Sequence, residues 1–499
     1  MWEGIASGVS TVLIPTNLML VVVGCVTGTV IGMLPGLGPI SAIALMIPIT
    51  YGFDPSSGMI LMAGVYYGAI FGGSTSSILI NAPGVAGTVA SSFDGYPMAQ
   101  SGKAGKALAI AAIASFAGGT IAAVLLMMAA PALAKVSLSF QSPDYLMLMI
   151  LGLTAVSAFA SRGQVVQALI ATVIGLALST IGTDPSAGVQ RFTFGNLDLV
   201  DGISFLLLAM ATFALSEALM TVLQGRSAGA QANTASRGNF GSLKIDRKEA
   251  REMTPTVARS SILGFFVGVL PGAGATIASF LAYGMERALA PVKDRLQFGK
   301  GSIRGLAAPE TANNAACTGS FVPLLTLGIP GSGTTAVMLG ALISYGVQPG
   351  PQLFQNNPQV FWSVIISMYI GNVVLLILNL PLIPYIARVL VLPRQLLVPF
   401  ILFFSLIGVY LVSFNTFDIY MMTAFAVAAI FLRLFKYPMA PLILGFILGG
   451  MIEDNLQRTM TLYDGSFSFL WQRPVSLAIT AMLIAVVLVP IGRALRNPG

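Results

Sequence analysis

The chain has 499 residues, of which 56% are hydrophobic and only 9% charged, and its mean hydropathy is +0.87. A soluble domain carries about 25% charged residues, so the composition excludes one and indicates an integral membrane protein. The net charge of +7 does not indicate a nucleic-acid binder, because the basic residues fall between apolar runs, where the positive-inside rule wants them, and no basic patch interleaves with aromatics.

Most apolar runs approach the roughly 20 residues that a helix needs to span hydrocarbon. Strands of a membrane barrel would alternate apolar and polar residues, and runs such as Ile110 to Ala130 do not. The fold class expected is an all-α polytopic membrane protein. Histidine is absent, which removes the commonest general base and metal ligand. Cys25 and Cys317 lie in apolar surroundings and imply no disulfide framework.

In chain order, the run from Thr11 to Val30 is preceded by Glu3 and by no basic residue, so it reads as structure and not as a signal peptide. It continues into a segment, 12–50, broken at Pro35. A second segment, 59–98, is rich in Gly, Ser and Thr and is broken at Pro83-Gly84. Plainer spans follow near 106–131, 144–160, 164–182 and 202–224, so that residues 1–224 form a first repeat. A polar stretch, 225–254, reads as a cytoplasmic linker. The second repeat, 255–499, opens with segments 256–289, broken at Pro271, and 306–348, broken at Pro330-Gly331. Plainer spans near 359–388, 395–413, 417–432, 438–452 and 475–492 complete it.

The repeat is carried by Gly32-Met-Leu-Pro-Gly-Leu-Gly38 and Gly268-Val-Leu-Pro-Gly-Ala-Gly274. A Pro-Gly step removes a backbone donor and frees φ, so a helix breaks there. Broken backbone at membrane depth survives only where protein buries it or where it lines a polar cavity. A matched pair of such breaks in two halves points to a transporter binding site. Loop 51–58 has no Lys or Arg, whereas its counterpart 286–305 carries Arg287, Lys293, Arg295, Lys300 and Arg304. Lys103 and Lys106 follow the second broken segment, but 349–358 is uncharged. Opposite bias in equivalent loops reads as inverted topology. With 100–106, the linker and 286–305 in the cytoplasm, 256–289 must enter and leave on one side as a helical hairpin. Arg388, Arg394, Arg433, Lys436, Arg493 and Arg496 then lie inside, and Asp418, Glu453, Asp454 and Asp464 outside.

A half-helix that begins after Pro-Gly offers unpaired amides at its positive end, an anion site. Pro35, Gly36, Leu37, Gly38, Pro83, Gly84, Gly87, Gly272, Gly274, Pro330, Gly331 and Gly333 would let a ligand approach the backbone. Ser76, Asn81, Thr88, Asn313, Asn314, Ser332 and Thr334 would add side-chain donors for a carboxylate. Ser74, Thr75, Asn81, Asn314, Thr318 and Thr335 offer oxygens to a hard cation. Glu310 opens a broken segment as either a helix cap or a site residue. Glu217, an acid inside an apolar span, is either functional or paired with another helix. Asp94 reads as the cap of a turn.

At these residues the chain resembles the TctA family, the large membrane subunits of tripartite tricarboxylate transporters. The likeness rests on the Gly-x-Leu-Pro-Gly-x-Gly pair together with Asn81-Ala-Pro-Gly-Val-Ala-Gly-Thr88, Phe93-Asp-Gly-Tyr-Pro-Met98, Ala308-Pro-Glu-Thr-Ala-Asn-Asn314 and Pro323-Leu-Leu-Thr-Leu-Gly-Ile-Pro-Gly-Ser332, and it covers essentially the whole chain. Thr311 stands where the family pattern leads one to expect Ala. The resemblance implies uptake of di- or tricarboxylates across the bacterial inner membrane by a multi-pass protein driven by a cation gradient. It implies two partners, a small TctB-like membrane subunit and a periplasmic TctC-like solute-binding protein, and by fold-level analogy an elevator motion. No cofactor is expected beyond Na+ as the coupling ion, which is preferred because His is absent and in-membrane acids are few. Proton coupling through Glu310 or Glu217, a channel or scaffold subunit, and an intramembrane enzyme using Ser76 or Ser332 are the alternatives. The substrate and the oligomeric state, a homodimer included, stay open at this point.

Overall fold

Helix follows hydropathy along the first half of the chain. The computed structural model describes every residue except Met1 and residues 35–36, 138, 159–163, 185–186, 224–240, 392–396 and 497–499. After α1 (Trp2–Val12), helix α2 (Pro15–Met33) and helix α3 (Pro39–Thr50) each open on a proline, whose missing N–H costs nothing in the first turn. Helix α4 (Pro55–Ile80) is started by Asp54, whose carboxylate accepts the Ser56 and Ser57 amides at 2.9 and 3.2 Å. It stops at Asn81, which is left-handed at φ 50°, and a 3-10 turn, Ala86–Thr88, leads into α5 (Val89–Met98). Helices α6 (Ala104–Ser137), α7 (Ser142–Ala158) and α8 (Val165–Ser179) follow. A two-stranded antiparallel ribbon then pairs β1 (Gly182–Thr183) with β2 (Gln190–Arg191).

The span near 202–224 is helical but not uniform. Between α9 (Phe205–Ala209) and α10 (Ser216–Leu223) lies a π turn, Met210–Leu215. The Phe213 carbonyl there accepts from Ser41 of α3 at 3.1 Å, and the Thr212 carbonyl from Arg433 at 2.9 Å.

Much of the stretch read as a linker, 225–254, lies outside the described residues, but its end does not. Helix α11 (Arg247–Val269) already covers 247–254, because Glu249 accepts the Asp246 amide at 2.9 Å and so starts the helix ahead of the apolar run. Next come α12 (Gly274–Leu289), α13 (Val292–Arg295), α14 (Ile303–Gly319) and α15 (Phe321–Leu327), which ends at Gly328 with φ 70°. Helices α16 (Gly333–Ser344), α17 (Pro351–Asn356) and α18 (Pro358–Asn379) follow. The expected span 359–388 is not one helix. Pro381 and Pro384 end α18 at Asn379, and the chain resumes as α19 (Ile383–Ile386) and a 3-10 turn, Ala387–Val391. The chain closes with α20 (Leu397–Ser413), α21 (Thr416–Leu434), α22 (Met439–Leu462), α23 (Phe469–Gln472) and α24 (Pro474–Arg496). Among the described residues, 5 helical runs are long and apolar enough to cross a membrane.

Two helix pairs are packed by one rule. Helix α2 has Gly24, Gly28 and Gly32 at every fourth position, and α4 answers with Gly64, Gly68 and Gly72. A Cβ at Gly32 would stand 2.1 Å from the Ala69 carbonyl oxygen. In the second half, a Cβ at Gly268 of α11 would stand 2.2 Å from the Ala316 carbonyl of α14. Lipid provides no hydrophobic drive between helices, so such small-residue seams let backbones touch and gain dispersion. Helix α14 is the hub of this region, packed against α4, α5, α6, α11 and α12. By contrast, α20, α21 and α24 expose large apolar side chains such as Phe403, Phe431 and Met482.

Candidate functional site

The four helix breaks meet in a closed circuit. A Cβ at Gly84, in the second break, would lie 1.8 Å from the carbonyl oxygen of Gly32, at the first. Gly87, later in the second break, lies against Ala275, which follows the third, at 3.2 Å from an added Cβ. The Gly272 amide of the third break donates to the Gly331 carbonyl of the fourth at 3.1 Å. Gly333, just after the fourth, returns to Ile40 of α3, at 3.1 Å from an added Cβ. Pro35 and Gly36 themselves lie outside the described residues, but Leu34, Leu37 and Gly38 on either side are described. Leu37 is buried, whereas Asn81 is exposed and open space surrounds the positions of Gly38 and Gly274.

Side chains hold the second and fourth breaks by different means. In the second, Ser76 accepts the Gly84 amide at 3.0 Å, and Thr88 donates to the Gly73 carbonyl at 3.1 Å and pairs with Ser77 at 2.8 Å. Pro83 follows the left-handed Asn81 and turns the chain back over α4. In the fourth, the Ser332 amide donates to the Thr335 hydroxyl at 2.8 Å and the Thr335 amide to Ser332 Oγ at 3.3 Å. This reciprocal cap occupies the N-cap amide and one amide of the first turn of α16. Tyr66 of α4 reaches Ser332 at 3.4 Å. Pro330 and Thr334 are buried beside it.

The capping pattern decides where an anion could be received. The N-termini of α3, of α12 and of the 3-10 turn that leads into α5 have no side-chain cap, so their first amides and dipoles remain available to a ligand. At α16 the Thr335 amide is taken by Ser332. No Lys or Arg occurs within any of the breaks. A carboxylate held there would therefore be met by backbone amides and hydroxyls, with countercharge left to a co-bound cation.

Asn313 and Asn314 join α14 to this circuit. Asn313 Nδ2 donates to the Gly87 carbonyl at 3.4 Å, while Asn314 Nδ2 donates to Asn313 Oδ1 at 2.6 Å and to the Glu310 carbonyl at 3.0 Å. The candidate sodium ligands fall in three places. Ser74 and Thr75 line a small buried cavity, Asn314 and Thr318 lie on α14, and Asn81 and Thr335 belong to the second and fourth breaks. Thr318 also accepts from Tyr67 at 2.8 Å.

The acids separate cleanly. Glu310 is not a helix cap: Ser302 caps α14, accepting the Gly305 amide at 3.1 Å, and Glu310 sits fully buried in mid-helix. Its Oε2 accepts from Ser74 at 2.6 Å and Ser115 at 2.9 Å. Glu217 forms an ion pair with Arg433 of α21. Asp94 does hold a turn, but a distant one, accepting the amides of Gly299, Gly301 and Ser302 at 2.9, 2.9 and 2.7 Å. Ser91 and Ser115 around Glu310 escaped the sequence reading. Ser115 is a lone serine in an apolar run and Ser91 is the first of a Ser-Ser pair, and neither carries a local signal of what it faces. The fourth-position glycines of α2 and α4 were legible as a seam, and would have located the close approach beside the breaks.

Comparison with known proteins agrees. The family model described as the tripartite tricarboxylate transporter TctA family matches residues 18–444. A protein of Agrobacterium vitis, described as an uncharacterized 52.8 kDa protein in the TAR-I ttuC' 3'region, is 40% identical over 497 residues, covering 99% of this chain and 97% of that protein. A second, described as an uncharacterized protein in the TAR-II ttuC' 3'region of Agrobacterium vitis, is 41% identical over 226 residues, covering 45% of this chain and 93% of its own. No solved structure matches. From residue 18 to residue 444, and through its Agrobacterium vitis relative over nearly its full length, the chain belongs to the TctA family of tripartite tricarboxylate transporters.

Proposed function

We propose that the protein performs cation-coupled secondary uptake of di- and tricarboxylates across the bacterial inner membrane, with substrate delivered by a periplasmic binding protein and a small membrane subunit completing the complex. The observation that carries this reading is the circuit of four breaks through Gly32–Gly84, Gly87–Ala275, Gly272–Gly331 and Gly333–Ile40. Substrate carboxylates bind to the uncapped starts of α3, of the 3-10 turn before α5 and of α12. Sodium ions bind nearby through freed carbonyls and Asn, Ser and Thr oxygens, offsetting the anion's charge. A carrier that moves readily only when both are bound couples the two fluxes.

The inverted arrangement has independent support. Charge bias in the loops predicts which residues share a side, and contacts far apart in sequence obey it. Lys106 pairs with Glu249 and Asp94 holds the 299–302 turn, all on the predicted cytoplasmic side. Arg191 pairs with Glu453, Arg473 with Asp144, and Asn415 with Asp198, all on the predicted outer side. The left-handed residues Asn81 and Gly328 stand at equivalent points before Pro83-Gly84 and Pro330-Gly331. On this reading a mobile domain that holds both hairpins slides as an elevator against a scaffold.

The test is uptake of labelled citrate and shorter dicarboxylates into proteoliposomes holding this chain with its two partners, sodium and pH gradients being varied separately. Sodium-driven, saturable uptake is expected. Uptake indifferent to sodium removes the sodium assignment, and unsaturable flux removes the carrier reading in favour of a channel.

A further inference from the structure

The ribbon between α8 and α9 turns apolar side chains outward. Phe192, Phe194 and Leu197 are 61%, 90% and 84% exposed. Phe192 and Phe194 also have left-handed backbone, at φ 53° and 52°, a conformation costly for a bulky side chain. Thr193 between them is buried, so the two left-handed residues turn one polar side chain in and two phenyl rings out. Strain that serves to expose two rings points to an apolar surface against which they rest.

The height of the ribbon is fixed at three points. It begins just past α8, whose Ser179 packs directly on Gly449 of α22. One turn further along α22, Glu453 accepts from Arg191 Nη2 at 2.7 Å. Glu453 is the first charged residue after the apolar run 439–452. Past the second strand, Asp198 accepts from Asn415 Nδ2 at 2.8 Å, and Asn415 is the N-cap of α21, accepting the Phe417 amide. Helices α21 and α22 are both long and apolar enough to span a membrane, so both pins lie where a spanning helix leaves the hydrocarbon. Arg191 also pairs with Asp184, and the one charge between Val189 and Leu197 is thereby spent inward.

Lipid is what lies beside these pins. Only Met422, Ala426 and Ala429 of α21 are buried in the protein, so the rest of that helix faces the bilayer. Aromatic and apolar side chains at the end of such a helix sit at the headgroup level. We propose that residues 189–197 form an interfacial anchor, with Phe192, Phe194 and Leu197 seated in the headgroup–acyl boundary beside the start of α21. The occupant is phospholipid and not a second protein, because Glu453 and Asn415 hold the ribbon at the membrane surface and the adjoining face of α21 is itself open to lipid. The anchor fixes the height of α8, α21 and α22 in the membrane. It goes beyond the transport reading and does not depend on it.

A single fluorophore tests it. Cys25 and Cys317 are buried, so the wild type serves as the unlabelled control. Phe194→Cys is labelled with bimane on the full chain, in nanodiscs of phosphatidylcholine and phosphatidylglycerol. Quenching by lipid that carries a spin label near the headgroup is expected to exceed, several-fold, quenching by iodide and quenching by lipid labelled near the chain terminus. The same label at Val427→Cys, midway along α21, should reverse the depth order. Every other order at Phe194→Cys overturns the proposal: iodide ahead of lipid puts the ribbon in water, the chain terminus ahead puts it inside the hydrocarbon, and no quenching at all puts another protein chain over the face. If Phe194→Cys does not yield monodisperse protein, Leu197→Cys decides by the same results.

Discussion

The second and fourth breaks are written alike, each placing a left-handed residue, then Pro-Gly, then a threonine, yet they are fastened differently. At the second, Thr88 reaches back to the Gly73 carbonyl and Ser77 on the long helix before it. At the fourth, Thr335 turns forward and caps its own helix with Ser332. The first solution leaves the 3-10 turn before α5 uncapped and ties the break to its neighbour. The second takes the Thr335 amide of α16 and leaves Gly331 to be tied through Gly272 of the third break. Two equivalent breaks are thus fastened differently, one to the helix before it and the other to its own helix and to the third break. The difference depends on where one hydroxyl turns, and the two sequences are too similar to foretell it.

The largest expected effect is steric. Gly84→Val should abolish both folding and uptake, because any Cβ there would meet the Gly32 carbonyl at 1.8 Å, a clash that side-chain repacking cannot absorb. Gly38→Ala, which enters open space at φ −78°, should fold normally, and size-exclusion profiles of the two variants check the contrast. Normal assembly of Gly84→Val would break the circuit as described. Next is Ser76→Ala, which strands the buried Gly84 amide and should cost about 1–3 kcal/mol, read as a lowered Tm together with weaker substrate binding.

Capping sharpens the comparison further. Ser332→Ala should cost about 1 kcal/mol of stability while leaving substrate KM within a few-fold, since the Ser332 hydroxyl is spent on the Thr335 amide. Asn313→Ala, which releases the Gly87 carbonyl in the uncapped 3-10 turn, should raise KM more than it lowers Tm. A larger KM effect for Ser332→Ala than for Asn313→Ala would reverse the assigned roles.

The smallest effect concerns the Lys106–Glu249 pair at the start of α11. Hydrogen bonding from Lys106 holds the Glu249 carboxyl below its ordinary value of 4.5. A depressed folded value means that the stabilisation is present above the unfolded value and fades as pH falls through the folded one. Glu249→Gln should therefore lower stability at neutral pH by under about 1 kcal/mol, as exposed pairs do, and match wild type in acid. Thermal unfolding of both proteins across that range measures it, and a difference that persists in acid would contradict the pairing.

Composition determined that this chain spans a membrane and Pro-Gly punctuation that its helices break at matched points in two halves, because hydropathy and backbone chemistry are local properties of a sequence; the resemblance to one transporter family rested on the quoted motifs. Tertiary structure decided the rest. It showed Glu310 to be a buried mid-helix acid and no cap, since the serines that face it come from separate helices. It gave Glu217 to Arg433, residues far apart in the chain, and it ran α11 back to Arg247 while stopping α18 at Asn379. Whether a hydroxyl caps its own helix or binds the one before it is settled by packing, where small differences in position choose between hydrogen bonds of nearly equal strength.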